Sequence, residues 1–571
     1  MAAYDTWSDA DLESLRHQSV PNGSPLFSLI VPAPRPQITE VRALLADLQR
    51  QVYPRWELCV GFDTQDSALA ADLRELQASE PRLRIARTDR AASPLTACQG
   101  EYIGYLCADW VLRPHCLWTF AQAAARNPRP RFIYCDDDTI TPDGRRIEPR
   151  FKPDWNLTLF ECSKLLSGFN VYHRDVLERH GGWDAGFGSA ASWELALRSN
   201  EGLSPSEIAH LPYVLWHAKA PARPEPATNT RELEQRALLQ HFARIKQPAA
   251  LQPVPGGWRV RFPVPSPAPS VDIIIPTRDR LHLLKQCVDS VFGKTTYPRF
   301  HVTIVDNGSV EPATLAYLRE LSGDPRVSIL RDPGPFNYSR LNNRAVEASR
   351  ADFVCLLNND IEVISPDWLD EMVGQACRPG TGVVGARLWF PNDTLQHGGM
   401  ALGSHAFAWL LHKHLPRGDS GYLHRAGLAQ DLSSVIGACL LIPRQLYLQV
   451  GGLNEPELAV ACNDVDLCLK VREAGYRVVW TPHAELYHYE SASRGRDRKA
   501  AEKAARLAHE LAFMRSHWHR YARHDPAYNP NLTVEDEDCT FAFPPRVDPR
   551  RPSGLPPGEE DGDHVFFSLA A

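Results

Sequence analysis

The sequence lacks any long apolar run and any signal-like beginning. One of its longest apolar stretches, VIGACLLI at 435–442, is far shorter than the ~18–20 residues that a membrane-spanning helix needs. Its first residues, MAAYDTWSDADLESLRHQ, are acidic and have no apolar core, which excludes a secretory signal peptide. We therefore expect a cytoplasmic protein.

Paired cysteines and a strongly basic charge are also missing. The thirteen cysteines are scattered, and none forms a C-x-x-C pair. Several lie inside strand-like runs, among them Cys59, Cys355 and Cys439, as buried free thiols do in a reducing compartment. This pattern argues against a disulfide framework and against a zinc site. The formal net charge of −7 gives no support to nucleic-acid binding.

Proline is abundant instead, and it divides the chain. Seven prolines fall within 247–270, which predicts a stiff linker. Residues 526–571 are proline-rich and acidic, so we expect them to follow the surface and then to become disordered. The predicted division is an N-terminal extension at 1–25, two large units at 26–246 and 271–525, the linker and the tail.

The two large units begin alike. The first opens with FSLIVPAPRP and the second with VDIIIPTRDR, and each continues with an amphipathic helical stretch and another strand. Pro32 precedes Pro276 by 244 positions (276 − 32), and Asp63 precedes Asn307 by the same 244 (307 − 63). A constant offset across separate features indicates a duplicated domain.

Both units continue as alternating strands and helices. In the second unit, RVSIL is a predicted strand, SRLNNRAVEASR a helix and DFVCLL a strand. Such alternation predicts an α/β fold with a mostly parallel central sheet that is covered on both faces. Ligands of such sheets bind beyond the carboxyl ends of the strands, where we expect Asp306, Asn307 and Asp360.

These motifs also have ordinary structural interpretations. Asp306 and the Asn-Gly-Ser that follows it favour a turn on backbone grounds, and Asp360 could be a turn residue as well. Asn463-Asp464 precedes an amphipathic helix, so it could be a helix N-cap. His488 ends the run AELYH, and a lone histidine is more often structural than a ligand. Two acidic strand ends that face one crevice are nevertheless more specific than either alone.

Taken together, the motifs of the second unit resemble a known family. The stretches IIIPTRDR, VDNGS, FNYSRLNNRAVEASRADFVCLLNND, NDVDLC and AELYHYESASRG are similar to those of family 2 inverting glycosyltransferases with the GT-A fold. More narrowly, the chain resembles bacterial two-domain proteins of O-antigen and other surface-polysaccharide assembly, including rhamnosyltransferase-like members. The resemblance implies two tandem GT-A domains, which have a Rossmann-like nucleotide-diphospho-sugar transferase fold.

The resemblance also implies roles for individual residues of the second unit. Asp464 would be the catalytic base, and Asp360 would bind a divalent cation as the last acid of a D-x-D motif. His488 would be a second metal ligand, and the basic Arg494 would lie near the donor diphosphate. The other positions implied in donor nucleotide binding are Thr277, Asp279, Asp306, Asn307 and Asn343.

The chemistry of glycosyl transfer suits these residue types. Departure of a nucleoside diphosphate develops negative charge, which Mg²⁺ or Mn²⁺ would offset if held by a few protein ligands and the diphosphate. A carboxylate on the opposite face would take the proton of the acceptor hydroxyl, giving a single displacement with inversion. Asn358 departs from the full D-x-D pattern, so metal affinity could be weak until the donor arrives.

The first unit lacks the corresponding residues. Phe62 stands where the second unit has Asp306, and Ser192 stands where it has Asp464. The segment that would match FNYSRLNNRAVEASR is shortened as well. A serine hydroxyl cannot act as a carboxylate base at neutral pH. We therefore expect the unit at 26–246 to be a degenerate, non-catalytic GT-A-like domain.

Two further features of the first unit bear on this expectation. The acidic run at 136–138 is the main objection to it. The resemblance places a similar run near the acceptor, whereas the ordinary interpretation is a solvated loop, and the two stay equally open. His217 matches His488 at an offset of 271 (488 − 217), so one predicted ligand position is kept.

Two alternatives to a single active site stay open. The whole protein could be a non-catalytic scaffold that binds glycan or nucleotide in a polysaccharide synthase complex, because Asn358 removes one carboxylate. Both units could also be active, as in bifunctional polymerases, although Ser192 argues against this. The implied partners are a dTDP- or UDP-linked sugar donor and a glycan or lipid-linked oligosaccharide acceptor. Such an acceptor would place the protein peripherally at the inner face of the cytoplasmic membrane.

Overall fold

Two large β-sheets organise the part of the chain that the structure describes. The structure is a computed structural model. It describes residues 7–18, 23–32, 36–62, 67–87, 94–220, 230–404, 406–489, 501–535, 539–543 and 545–547.

The first sheet contains nine strands among these residues. They are β1 (Phe27–Val31), β2 (Trp56–Phe62), β3 (Leu83–Arg87), β4 (Tyr102–Tyr105), β5 (Trp110–Leu112), β6 (Phe132–Ile140), β7 (Arg146–Arg150), β8 (Val171–His173) and β9 (Ile208–Lys219). Their order is β3-β2-β1-β4-β8-β6-β9-β5, and β7 pairs with β6.

Two hairpin strands, β10 (Ala250–Val254) and β11 (Gly257–Arg261), precede the second sheet. The strands of the second sheet are β12 (Val271–Thr277), β13 (Phe300–Asp306), β14 (Val327–Arg331), β15 (Phe353–Leu357), β16 (Ile361–Val363), β17 (Thr381–Trp389), β18 (Leu395–His397), β21 (Gln430–Leu432), β22 (Cys439–Pro443) and β23 (Arg477–His488). A separate hairpin is formed by β19 (Met400–Ser404) and β20 (Phe407–Leu410).

The second sheet repeats the strand order of the first. Its order is β14-β13-β12-β15-β22-β17-β23-β16, with β18 on β17 and β21 on β23. In each sheet the first four strands are parallel. The other side combines antiparallel pairs with one parallel pair, β6 with β9 in the first sheet and β17 with β23 in the second. The predicted α/β class is confirmed, and the shared order agrees with the predicted duplication.

The central strands form because their residues are apolar almost without interruption. β12 (VDIIIPT) is buried at all seven positions, as expected for a strand with helices on both faces. Helix α9 (Leu281–Lys294) instead buries a set of residues that includes Leu284, Cys287, Val288 and Val291. Their three- and four-residue spacing is that of an amphipathic helix. The helices are α1 (Asp9–His17), α2 (Ile38–Gln49), α3 (Ser67–Ser79), α4 (Cys116–Ala124), α5 (Leu157–Cys162), α6 (Arg174–His180), α7 (Ala191–Asn200), α8 (Thr230–Arg244), α9 (Leu281–Lys294), α10 (Pro312–Leu321), α11 (Tyr338–Ala348), α12 (Trp368–Ala376), α13 (Arg444–Gln449), α14 (Asn463–Glu473), α15 (Ala501–His517) and α16 (His519–Arg523).

The segment at 247–270 contacts both units through its hairpin. Trp258 of β11 donates a hydrogen bond from its indole nitrogen to Glu234 Oε2 of α8 at 3.1 Å. The next residue, Arg259, donates to Glu371 Oε2 of α12 at 3.0 Å. This segment, which the prolines predict to be a linker, is therefore packed between the two units.

Buried polar contacts also join the two units directly. Asp431 of β21 accepts hydrogen bonds from the backbone N–H of Thr158 (3.1 Å) and from its hydroxyl group (2.7 Å) at the start of α5. Arg378 pairs with Glu161 at 2.6 Å, and both side chains are buried. Removing either partner would leave a charge unpaired in the interior, so this contact is costly to break. Because β21 pairs with β23, the first unit supports the sheet that carries the candidate site.

A cluster of histidines and carboxylates ties the first unit to the C-terminal segment. His210 of β9 has Nδ1 2.9 Å from Asp154 Oδ1 and Nε2 3.0 Å from Asp136 Oδ1. His524 reaches the other oxygen of Asp154 at 2.7 Å, and Tyr134 stacks on the ring of His210. Burial would lower the pKa of His210, but the carboxylates of Asp136 and Asp154 outweigh it and raise the pKa to about 9.

We expect the charge on His210 to make stability depend on pH in the alkaline range. The pKa in the folded protein lies above the ordinary value of 6.5. The stabilisation is therefore complete below pH 6.5 and is lost as the pH rises through 9. The shift corresponds to on the order of 3 kcal/mol of unfolding free energy.

Urea unfolding of the wild type and of His210→Gln between about pH 6 and pH 9 measures how much the charge on His210 contributes to the free energy of unfolding. The difference in unfolding free energy between the two proteins should shrink as the pH rises. His509→Gln is the matched control, because His509 is exposed and pairs only with Glu457 among the described contacts. A difference between wild type and His210→Gln that does not change with pH would contradict the prediction.

Candidate functional site

A pocket of about 350 Å³ opens beyond the carboxyl end of β15 in the second unit. Its wall combines polar and apolar groups from several segments of the chain. The polar and backbone lining comes from Tyr338, Asn358, Asp360, Gly437, Asn463, Asp464 and His488, and the apolar lining includes Met400, Trp409, Leu410, Ile436, Val460 and Val465.

Thr277 and Asp306 end two neighbouring parallel strands, and the register pairs them directly. The carboxylate of Asp306 accepts hydrogen bonds from the Ser309 N–H and from Arg331 Nη1, each at 2.8 Å. Thr277 Oγ1 accepts one from Asn359 Nδ2 at 3.0 Å. The structure therefore joins the ends of β12 and β13 to the turn that contains Asp360.

Asp279 lies in the loop between β12 and α9. It and Arg280 adopt left-handed backbone conformations, with φ of 53° and 57°, which non-glycine residues seldom do. Asp279 Oδ1 accepts hydrogen bonds from the N–H groups of Val310 and Glu311, each at 2.8 Å. The carboxylate thereby fastens this loop to the loop that precedes α10.

The two predicted asparagines have different surroundings. Asn307 is buried and donates from Nδ2 to the carbonyl groups of Asp332 and Gly334, whereas its Oδ1 has no hydrogen-bond partner among the described residues. Asn343 donates to the Leu453 carbonyl at 2.9 Å and accepts from the Leu453 N–H at 3.0 Å. The structure thus gives Asn343 a role in holding the 453 loop on α11, and its nucleotide contact stays a prediction.

Asp360, in the turn just before β16, faces His488 at the end of β23. β16 pairs antiparallel with β23, and the register sets Ile361 opposite His488. The N–H of Tyr489 donates to the Asp360 carbonyl at 2.9 Å. This pairing leaves His488 Nε2 3.2 Å from Asp360 Oδ1, and both side chains are buried.

The ring of His488 is oriented by a glutamine behind it. His488 Nδ1 lies 2.7 Å from Gln396 Oε1, and an amide oxygen can only accept, so Nδ1 carries the proton. Nε2 then presents its electron pair towards Asp360 Oδ1, and it also lies 3.3 Å from Asn358 Nδ2. Metal-binding histidines use this arrangement, in which the other ring nitrogen donates to a supporting group.

This donor set fits a divalent cation that has further ligands. An imidazole electron pair and a carboxylate oxygen lie 3.2 Å apart. Mn²⁺ accepts both kinds of donor, whereas Mg²⁺ prefers the carboxylate oxygen. Among the residues that the structure describes, no group of three or more His, Cys, Asp or Glu side chains could hold a metal ion. Oxygens of a bound diphosphate, or water, would have to complete the coordination.

Asp464 lies in the first turn of α14 and lines the pocket. Its Oδ2 accepts a hydrogen bond from the Gly437 N–H at 2.7 Å, and its Oδ1 accepts one from the Val465 N–H at 2.9 Å. The carboxylate is half-buried, so a ligand can reach it. The N-cap residue of the helix is Cys462, in a left-handed conformation. The N-cap interpretation of Asn463-Asp464 is therefore wrong.

Tyr338 connects the two sides of the pocket. Its hydroxyl lies 3.3 Å from Asn358 Oδ1 and 3.1 Å from the Gly437 carbonyl. Asn358 precedes Asp360 by two residues, and Gly437 donates to Asp464. Tyr338 is not predictable as a site residue from the sequence, because its position in an amphipathic helix is equally typical of a core residue.

Part of the apolar wall of the pocket comes from the hairpin of β19 and β20. Met400, Trp409 and Leu410 line the pocket from this hairpin. Its backbone pairing is antiparallel and has a register shift near Ser404. Short strands of this kind lack a long alternating pattern, which is why the sequence did not predict this wall.

These residues lie in and next to a region that matches a known family. Residues 272–447 match the family described as "Glycosyl transferase family 2". This part of the chain is a glycosyl transferase family 2 domain. The matched region contains Thr277, Asp306 and Asp360, and the segment that follows it supplies Asp464 and His488.

Two curated relatives are similar to the chain over most of its length. "Uncharacterized protein y4gI" of Sinorhizobium fredii is 40% identical over 537 residues, covering 91% of this chain and 59% of that protein. "O-antigen biosynthesis protein RfbC" of Myxococcus xanthus is 36% identical over 538 residues, covering 90% of this chain and 41% of that protein. The chain thus spans about half the length of these relatives.

A mannosyltransferase from Pyrobaculum calidifontis, solved with GDP-Man and Mn²⁺, is among the similar structures. Its sequence is 18% identical, the TM-score is 0.33, and the match covers 48% of this chain and 70% of that one.

In the part of this chain that the structure describes, no helix combines the length and the apolar character that crossing a membrane requires.

A loop of the first unit is held by a similar backbone contact that involves no carboxylate. Ser192 is the second residue of α7, as Asp464 is of α14. Its hydroxyl accepts a hydrogen bond from the Gly168 N–H at 3.1 Å and lies 3.2 Å from the Gly168 carbonyl. The ring of Trp216 packs against this glycine. Ser192 therefore binds a backbone N–H of the loop that precedes β8, as Asp464 binds one of the loop that precedes β22, and it lacks the acid of Asp464.

The register of the first sheet corrects the match between His217 and His488. In the second sheet Ile361 pairs with His488, and in the first sheet the equivalent Trp110 pairs with Ala218. A shift of one residue turns a side chain to the opposite face of a sheet. His217 accordingly bonds Asp138 on the other side. The first unit thus has an alanine at the position of the predicted metal ligand.

The acidic run at 136–138 is neither a solvated loop nor an open acceptor site. All three aspartates are buried within β6. Asp137 pairs with Lys152, and Asp138 pairs with Arg146. Because these aspartates already contact basic partners, the run supports the interior of the first unit.

Among the predicted site residues, Arg494 lies outside the residues that the structure describes.

Proposed function

We propose that the family 2 domain transfers a sugar from a nucleotide-diphosphate donor to a glycan acceptor, with inversion, during assembly of a bacterial surface polysaccharide. The observation that carries the proposal is a single pocket lined by Asp360 and His488 as well as by Asp464. The first two suit a cation with a diphosphate, and the third suits removal of a proton. Similarity to the O-antigen protein of Myxococcus xanthus supports the polysaccharide context.

The donor side would be built from the ends of β12, β13 and β15. Thr277 and Asp306 would face the nucleotide, because they end paired strands beside the turn of Asp360. Asp360 and His488 would hold Mg²⁺ or Mn²⁺ against the diphosphate, and the cation would offset the charge of the leaving group. Both side chains are fixed by strand pairing, so little reordering would be needed when the donor binds.

The acceptor side would be built around Asp464. Its carboxylate would take the proton of the acceptor hydroxyl as that oxygen forms its bond to the sugar carbon. The bond from this carbon to the diphosphate oxygen would break on the opposite face, so the configuration inverts. The Gly437 N–H holds one carboxylate oxygen at 2.7 Å, which orients the group before the acceptor arrives. A positioned base of this kind contributes about 10²–10⁴-fold.

The apolar wall beside Asp464 gives a reason to expect an acceptor with apolar surface. Met400, Trp409 and Leu410 line the same pocket as Asp464. A lipid-linked oligosaccharide combines a sugar hydroxyl with such a surface. Use of this acceptor would bring the protein to the inner face of the cytoplasmic membrane as a peripheral protein.

The first unit would support the family 2 domain and would not catalyse transfer. Ser192 and Ala218 stand at the positions of the proposed base and the proposed metal ligand. Its buried contacts with Asp431 and Arg378 suit a structural partner. A wholly non-catalytic scaffold is the second candidate, and Asn358 at the start of the D-x-D motif is the observation that favours it.

Calorimetry on the full chain with UDP- and dTDP-linked hexoses and rhamnose, with and without Mn²⁺ or Mg²⁺, separates these candidates. We expect one donor class to bind, to bind more tightly with the cation, and to be hydrolysed slowly without an acceptor. Absence of binding for every donor would favour the scaffold. Transfer that survives replacement of both Asp360 and Asp464 by alanine would show that the first unit is active.

A further inference from the structure

The short strand β18 contacts both sides of the site. It consists of Leu395, Gln396 and His397 and pairs with β17. The side chains of Gln396 and His397 are fully buried. Neither carries a fixed charge, and neither belongs to a motif from which the site was predicted. Buried polar groups are costly unless each hydrogen bond is made, so their partners are informative.

Both ends of the Gln396 side-chain amide contact His488. Its Oε1 accepts from His488 Nδ1 at 2.7 Å, and its Nε2 donates to the His488 carbonyl at 3.4 Å. The two contacts together fix which amide end faces the ring. The ring is thereby held as the Nδ1–H tautomer, with Nε2 directed to Asp360.

His397 makes a similar pair of contacts on the other side. Its Nδ1 donates to the Ala386 carbonyl of β17 at 2.9 Å, and its Nε2 accepts from the Ile436 N–H at 3.2 Å. Burial lowers the pKa of His397 to about 4, so the ring is neutral and Nε2 can accept. The next N–H along the chain, that of Gly437, donates to Asp464 Oδ2.

Strand geometry explains how adjacent residues serve two separate groups. Successive side chains of a strand point to opposite faces of the sheet. Gly399, just after β18, has a φ of 97°, and a Cβ there would come 2.0 Å from Leu432 Cδ1. The chain is therefore closely packed against Leu432 where it leaves the strand.

We infer that β18 is the positioning element of the site, with Gln396 setting His488 towards the cation and His397 setting the 436–437 loop that orients Asp464. This inference rests on the proposed function. Neither Gln396 nor His397 is assigned a contact with substrate, and replacing each residue is expected to have a different effect. Loss of Gln396 acts on the cation, and loss of His397 acts on proton transfer.

For Gln396, the expected result of Gln396→Leu is an affinity for Mn²⁺ in the presence of UDP that is lower by about 10–100-fold, the range for a supporting ligand contact. Electron paramagnetic resonance of Mn²⁺ measures this without turnover. Nitrogen-15 spectra of histidine-labelled protein, with His488 assigned by a His488→Gln variant, should show loss of the pure Nδ1–H tautomer. Gln396→Glu keeps an acceptor for Nδ1 and should restore that tautomer.

For His397, the expected result of His397→Phe is a kcat lowered by about tenfold or more, as when a general base is misplaced, with unchanged Mn²⁺ affinity. His397→Gln keeps an acceptor for the Ile436 N–H and should recover most of kcat. The matched control is Gln375→Leu, which removes a buried amide in α12 that contacts the Val260 carbonyl. It should change neither the cation affinity nor the His488 spectrum.

Two results would overturn the inference. One is Gln396→Leu with the wild-type tautomer and wild-type Mn²⁺ affinity. The other is His397→Phe with wild-type kcat, or with Mn²⁺ affinity reduced as strongly as kcat. Failure of the proposed function is distinguishable, because the wild type itself would then transfer no sugar, while the tautomer of His488 would still be measurable.

Discussion

Replacing Asp464 with asparagine is expected to lower kcat by about 10²–10⁴-fold, which is the contribution of a positioned general base. Donor affinity should stay unchanged. Asparagine keeps an oxygen that can accept from the Gly437 N–H, which now donates to Asp464 at 2.7 Å. The loop should therefore keep its shape while the group that accepts the proton is lost. Initial rates with the donor identified by calorimetry, together with donor titrations, measure the two quantities separately.

Asp466→Asn is the matched control for this substitution. Asp466 lies two residues further along α14, is buried, and accepts a hydrogen bond from Trp518 Nε1 at 2.9 Å. Its asparagine variant keeps that acceptor and should retain most of the transfer activity. Transfer by Asp464→Asn at the wild-type rate would show that another group is the base. An equal loss of donor affinity would instead assign Asp464 to the donor side.

Replacing Asp360 with asparagine is expected to remove the effect of the cation on donor binding. The carboxylate oxygen lies 3.2 Å from His488 Nε2, and it is the charged member of the donor set. Neutralising it should lower kcat/KM by on the order of 100-fold or more, because a bound cation stabilises the departing diphosphate by several kcal/mol. Titration of UDP with and without Mn²⁺ measures the loss at equilibrium.

Asp352→Asn provides the control for Asp360→Asn. Asp352 lies at the opposite end of β15 and accepts a hydrogen bond from the Ser270 hydroxyl at 2.7 Å. Its variant should keep the full stimulation of UDP binding by Mn²⁺. If Asp360→Asn also kept that stimulation, the cation would have to be held elsewhere or not be used.

The class of the fold and the location of the site could be predicted from local sequence features. Strands such as VDIIIPT are apolar throughout, and this identifies a sheet that is covered on both faces. Parallel strands bring their carboxyl ends to one edge, which predicts that Asp306 and Asp360 lie at the same edge, and β12 runs parallel to both β13 and β15. These inferences need only the periodicity of each segment.

The parts that could not be predicted depend on tertiary pairing. The match of His217 to His488 was off by one residue, because spacing along the chain does not reveal which residues of two strands pair. Cys462 adopts a left-handed conformation and displaces the expected N-cap. The strand that contains Gln396 and His397 has only three residues. No pattern of three residues distinguishes a strand from a loop.

The hydrogen bond between Ser192 and Gly168 in the first unit has a consequence for how duplicated enzymes diverge. A hydroxyl there still holds the glycine N–H, at 3.1 Å, so the shape of the loop does not require an acid. Architecture and chemistry are separable at this position. A duplicated domain can thus keep the fold around such a loop when a hydroxyl group stands in place of the carboxylate.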